Sequence, residues 1–213
     1  MHPLRLKDRR SQTFERILEA ATKEFSKAGF AGARVDEIAK IAGVNKATIY
    51  YHIGGKQVLY AQVIHHLFDN AVEKFNRNIT AAQSPEEKLR GFIQTIAGMV
   101  DQHPELAAIM LREQASGGKH FPATVAQDLA RILGILTEIL EDGAGSGAFI
   151  KTVPLIVHMM IIGAIVFFKL SSPIRAQLAP LVPTLDKMNT NVSGEVTAEI
   201  EMLILSAVRK ERK

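Results

Sequence analysis

The chain has 213 residues, 47% of them apolar, enough to bury a substantial core, and this excludes an intrinsically disordered protein. It has no cysteine, which excludes a disulfide framework, a thiolate zinc site and a cysteine nucleophile, and suits a reducing compartment, the cytoplasm by default. The net charge of +4 is uneven: residues 1–56 carry eleven Lys/Arg against six Asp/Glu, residues 57–213 fifteen against sixteen, so a basic module precedes a near-neutral remainder and nucleic acid is the polyanion favoured over a merely solvated basic face.

The start, Met1-His2-Pro3-Leu4-Arg5-Leu6-Lys7-Asp8-Arg9-Arg10, is basic without the apolar stretch of a secretory signal. It is expected to be a mobile arm, reaching phosphates or a minor groove, or a tail with no role. Ser11 is expected to cap a helix with the stripe Phe14, Leu18, Ala21, Phe25 and Ala28, closed by Gly29 and a clasp from Phe30. A short second helix places Val35, Ile38, Ala39 and Ala42 on one buried face. Gly43 then stops it, because glycine reaches positive φ at no Cβ cost, and Val44 tucks beneath the turn. Asn45 restarts helix as an N-cap. In the helix Lys46–His52 that follows, inward-facing Ile49, with Ile53 a turn beyond, leaves Ala47, Thr48, Tyr50 and Tyr51 outward.

Helix, glycine turn, helix is the helix-turn-helix arrangement, whose second helix enters the DNA major groove; the plain alternative is an αα-hairpin inside a helical core. The flanking cations favour DNA: Lys46 and Lys56 bracket the second helix and Arg34 precedes the first, all placed to hold phosphates. Gly29-Phe30, Ile38-Ala39, Ala42-Gly43-Val44, Asn45, Thr48-Ile49-Tyr50-Tyr51-His52 and Lys56-Gln57-Val58-Leu59 together resemble the DNA-binding head of the TetR family of transcriptional repressors over roughly residues 10–60. Ile53, Gly54-Gly55, Gln57 and Arg34 depart from the pattern, the last standing where Ser or Thr commonly caps the helix. The resemblance implies a homodimer that binds a palindromic double-stranded DNA operator through Arg34, Asn45, Lys46, Ala47, Thr48, Tyr50, Tyr51, His52 and Lys56, and that a small molecule releases.

Gly54-Gly55 is expected to end the recognition helix, and Lys56 to open a long one to about Asn78 with Leu59, Val63, Leu67, Ala71 and Phe75 inward. Ser84-Pro85-Glu86-Glu87 starts the next helix, which runs to His103, where Pro104 breaks it. A short helix Glu105–Ser116 ends at Gly117-Gly118, and Pro122 opens another that ends at the loop Gly143–Gly147. The stretch from His103-Pro104-Glu105 through Arg112-Glu113 to Gly117-Gly118 resembles, less specifically, the regulatory domain of some TetR-type repressors. Val153–Phe168 is the most apolar stretch. It is shorter than the ~20 residues a bilayer needs and carries His158, with Lys169 at its end, so burial against its own domain and a partner subunit is favoured over a membrane anchor. Ser171–Asn191 reads as a linker with at most one short helix, and the last helix, from about Gly194, places Val196, Ile200, Leu203, Ala207 and Val208 on one face.

No catalytic constellation, cofactor motif or phosphate-binding glycine loop is present, and His65 with Asp69 lacks the further ligands a metal site needs. The expected fold is all-α: a three-helix head in residues 1–55 and an antiparallel helical bundle in 56–213 that dimerises. The expected effector is small and mainly apolar, held by Phe92, Ile96, Met99, His103, Met110, Gln114, Phe121 and Phe167, with Arg112 and Glu113 as further polar candidates. The same apolar residues fit a solid core equally well.

Overall fold

The computed structural model describes residues 3–68, 74, 75, 77, 82–182, 191, 192 and 194–210, with backbone alone for 3–11. Among these residues every regular element is a helix, and turns and loops join them, with one isolated bridge between Phe149 and Arg209. The helices are α1 Pro3–Gly32, α2 Val35–Ala42, α3 Lys46–His52, α4 Lys56–Phe68, α5 Pro85–Gln102, α6 Pro104–Ala115, α7 Ala123–Gly145, α8 Pro154–Leu170, α9 Ser172–Leu178 and α10 Glu195–Val208. Two compact units result. One comprises Met1–Phe68 with Ala108–Ala126, the other Asp69–Ala107 with Gln127–Lys213, so contacts group α4 and the stretch 108–126 with the head.

In the first unit, α1 begins at Pro3, not Ser11. Proline suits a first helical position, and the leucines, arginines and lysine that follow are good helix formers, so the stretch expected to be a mobile arm is helix and Ser11 lies inside it. Gly29, at φ 67°, breaks α1 as anticipated. Beyond it Phe30 sits 5.1 Å from the Tyr60 ring, which also meets the wholly buried Phe25 edge-on at 4.7 Å. Tyr60 is itself fully buried; its hydroxyl donates to Glu113 Oε1 at 2.8 Å, and the other carboxylate oxygen accepts from the His120 backbone N–H at 3.4 Å.

In the second unit, α5, α8 and α10 pack on one another. Ser84 caps α5 by accepting from the Glu87 N–H, with Pro85 at the first turn. The helix α7 continues through Gly143 to Gly145 where a loop was expected, because the missing side chain of Gly143 leaves room for the buried ring of Phe149. On α10 the buried face is Thr197, Ile200, Glu201, Ile204, Leu205 and Val208, while Leu203 and Ala207 point outward. Hydrophobic spacing misplaced this face because Glu201 is buried with its charge answered, by Arg90 at 2.8 Å and Gln94 at 2.9 Å. α8 buries Val157, Ile161 and Ile165 and exposes Leu155, Ile156, Met159, Met160 and Phe167, so within one chain it is covered on one side only. Among the described residues no single helix is long and apolar enough to cross a membrane; α8 with α9 reaches the length only across a 62° bend.

The continuation of α4 expected up to Asn78 is helical at residues 74, 75 and 77, the rest lying outside the described residues, as does Asp69 of the His65–Asp69 pair.

Candidate nucleic-acid interface

The head is held by its turns. Gly43 takes the left-handed conformation, φ 62° and ψ 39°; its N–H donates to Lys40 O at 3.2 Å and that of Val44 to Ala39 O at 3.0 Å, the paired bonds of a Schellman cap. From α1, Arg16 Nη2 donates to the carbonyls of Ala42 and Gly43, the latter at 3.2 Å, so the turn is tied to a helix far away in sequence. A side chain at Gly43 would be strained by its φ and would meet that guanidinium at 2.8 Å. Asn45 then caps α3: its Oδ1 accepts from the Thr48 N–H at 2.7 Å and from the Thr48 hydroxyl at 2.8 Å.

Ile49 is the buried anchor of α3, and its burial turns Ala47, Tyr50 and Tyr51 to solvent, Tyr51 at 74% exposure. His52 is half-buried and meets the Tyr51 ring edge-on at 5.2 Å. Two tyrosines on a seven-residue helix thus present aromatic surface to solvent. Lys46 Nζ lies 3.0 Å from Asp36 Oδ1 across the turn. Lys56 Nζ donates to Ala31 O at 3.4 Å and stands 4.8 Å from the Phe30 ring centre. The backbone N–H of Arg34 donates to Glu24 Oε1 at 3.2 Å, and Arg34 precedes α2 with no side-chain cap, Asp36 and Glu37 supplying negative charge in the first turn instead.

All nine residues expected at DNA thus belong to the first unit, with Asn45 and Thr48 bonded to each other. Sequence reasoning missed Arg16 and Asp36, whose partners lie 26 and ten residues away and leave no local pattern.

The residues expected around an effector are divided between the two units. Phe92, Ile96, Met99, His103 and Phe167 lie in the second unit and Met110, Gln114 and Phe121 in the first. Phe92 and Ile96 are packed shut, Phe92 stacking on Phe75 at 4.9 Å; Met99 is also buried but borders an open cleft. Phe167 is 63% exposed, on the side of α8 away from Ile165, and so faces no interior of this chain. Glu113 is engaged by Tyr60, and Arg112 Nε donates to Ser26 O at 3.0 Å.

Residues 17–63 match the family model for bacterial regulatory proteins of the tetR family, and residues 85–180 the model for the tetracyclin repressor-like C-terminal domain. The HTH-type transcriptional repressor NicS of Pseudomonas putida is 31% identical over 164 residues, 74% of this chain and 75% of that one. Among solved structures, a TetR family transcription regulator from Marinobacter aquaeolei superposes with TM-score 0.73 at 19% identity, over 96% of this chain and 100% of the other. A HlyIIR variant with a linker substitution does so with TM-score 0.70 at 23% identity, over 96% and 99%. The helix-turn-helix geometry, the two family matches and the relation to NicS agree: the chain belongs to the TetR family of DNA-binding transcriptional regulators.

Proposed function

We propose that the protein is a repressor that binds a palindromic operator as a homodimer in the cytoplasm and is released by a small-molecule effector. Residues 1–55 hold DNA and 56–213 dimerise and sense the effector. The observation that carries the reading is α3, whose Asn45 cap and Ile49 anchor present Ala47, Tyr50 and Tyr51 as one exposed surface, with Arg34, Lys46 and Lys56 around it. In this arrangement Tyr51 and Ala47 meet base edges or thymine methyls, Thr48, Tyr50 and His52 support that contact, and the cations hold phosphates. The repressor NicS as a relative favours repression over activation. The apolar side of α8, left bare within one chain, favours a second copy as its cover. Two heads then address half-sites ~34–36 Å apart, and an effector acts by changing that separation. Of the effector wall expected from sequence, Met99 borders an open cleft, which favours an apolar part of the effector there.

Selection of bound duplexes from a random pool tests this. A two-fold symmetric sequence should emerge. Against it, Tyr51→Ala should cost ~1–3 kcal/mol on that sequence and little on random DNA. Lys46→Ala should weaken both alike and lower the salt slope by about one. A pool that yields no symmetric sequence, or equal losses on both DNAs for both variants, overturns the assignment.

A further inference from the structure

The second unit contains an open cleft of about 340 Å3. Gln94, Gly98 and Gln102, recurring every four residues, form one stripe of α5 along it, with Met99 beside them. Opposite stand Lys74 and Arg77. The intervening Phe75, wholly buried against Phe92, anchors this helical stretch to α5 and leaves the two cations at the cleft. A Cβ on Gly98 would meet nothing within 4 Å, so the middle of the cleft is empty because this position has no side chain.

The charges in the wall do not cancel. Lys74 Nζ donates to Gln102 Oε1 at 2.9 Å, which orients the Gln102 amide without neutralising the ammonium. Gln94 donates to Glu201, but that carboxylate is already paired with Arg90 at 2.8 Å. Asp101, the acid of α5 next to Gln102, is paired with Lys169 at 2.7 Å. Among the described residues the lining holds two cations, two amides, a hydroxyl and a thioether, and no carboxylate.

We propose that this cleft binds a small organic carboxylate, its anionic end between Lys74 and Arg77 and its apolar part on Met99 over Gly98. An anion relieves the repulsion of two neighbouring cations, and the planar guanidinium fits a carboxylate with two parallel hydrogen bonds. A wholly apolar ligand would strip water from both cations and return nothing. The volume lies at the small end of ligand sites, ~300–1,000 Å3, and at ~30 Å3 for each displaced water it suits a compact molecule. The identity of this ligand as the effector rests on the repressor reading above; its binding does not.

Calorimetry on the full-length protein with benzoate, its neutral isostere benzamide and inorganic phosphate tests the site, with operator binding measured in parallel. Benzoate should bind roughly tenfold or more tighter than either of the others. Lys74→Gln and Arg77→Gln should each weaken it about tenfold. Gly98→Leu should abolish binding while the protein still folds and holds DNA, since the position is open and leucine is the better helix former. Equal binding of benzoate and benzamide, phosphate as tight as benzoate, or benzoate binding untouched by Gly98→Leu overturns the proposal. If those failures occur in protein that still selects an operator, the regulator reading survives; benzoate binding as expected in protein that selects no DNA removes that reading and keeps the site.

Discussion

Tyr60 and Glu113 form a buried polar contact in the first unit. Burial first, and then the carboxylate it faces, push the Tyr60 hydroxyl well above its usual range, so it stays a neutral donor. Removing it in Tyr60→Phe leaves a buried carboxylate with one long bond to His120, and we expect a loss of about 1.5–3 kcal/mol in chemical denaturation. The loss should shrink in a Glu113→Gln background, where no charge is stranded. The pH dependence has a definite sign. Above about pH 10 the unfolded tyrosine ionises while the folded one does not, so the unfolded state binds fewer protons and stability falls as pH rises. That slope should flatten in Tyr60→Phe. Equal pH slopes in the two proteins would show that the hydroxyl is not held as described.

Within a single helix, α7, two glycines separate propensity from packing. Gly134 has nothing within 4 Å of where a Cβ would stand, whereas at Gly143 that Cβ would overlap the ring of Phe149. Gly134→Ala should therefore gain up to about 1 kcal/mol from helix propensity alone. Gly143→Ala carries the same gain but must push a buried ring aside, and overpacking of ~1–3 kcal/mol or more outweighs it. Thermal melts of the pair check this, and a stabilised Gly143→Ala would refute the packing account. A run of Gly143-Ala144-Gly145-Ser146-Gly147 reads as loop, and only the position of Phe149 explains why helix persists into it. The α2–α3 turn was legible for the opposite reason: Gly43, Val44, Asn45 and Thr48 bond to neighbours a few residues away, so composition states the geometry directly. The clamp from Arg16 and the burial of Glu201 were not, because their partners lie 26 and 111 residues off.

For the whole molecule, the apolar side of α8 is the surface on which the proposed dimer rests. Ile156, Met159, Met160 and Phe167 are exposed in one chain, and if a second copy covers them, Ile156→Glu puts an unpaired carboxylate into a dry contact. The residue is already outside the core, so the protomer should fold and sediment as a monomer. A fully dimeric Ile156→Glu protein would place the interface elsewhere. The same face shows why sequence does not fix the direction of Phe167: it belongs to a continuous apolar run, and a run that is hydrophobic all round does not say which side meets its own core. The cleft beside Met99 shows a related limit. Lys74, Arg77 and Gln102 look like solvated helix surface in sequence, and only the fold sets them around one space.

The pairing of Lys46 with Asp36 bears on how quickly such a regulator searches a chromosome. If Lys46 holds a phosphate as proposed, that phosphate must first take it from Asp36, and an exposed pair of this kind is worth ~0.2–1 kcal/mol. That toll is levied alike on right and wrong sequences, so it leaves the ratio between them unchanged. What it shortens is each visit to the ~10⁶–10⁹ sites that are not the target. With two heads the effect compounds, to about 30-fold at the upper limit of that range. On the proposed assignment of Lys46 to a phosphate, the acidic residue beside it acts as a brake on lingering, returning molecules to solution to sample the next stretch.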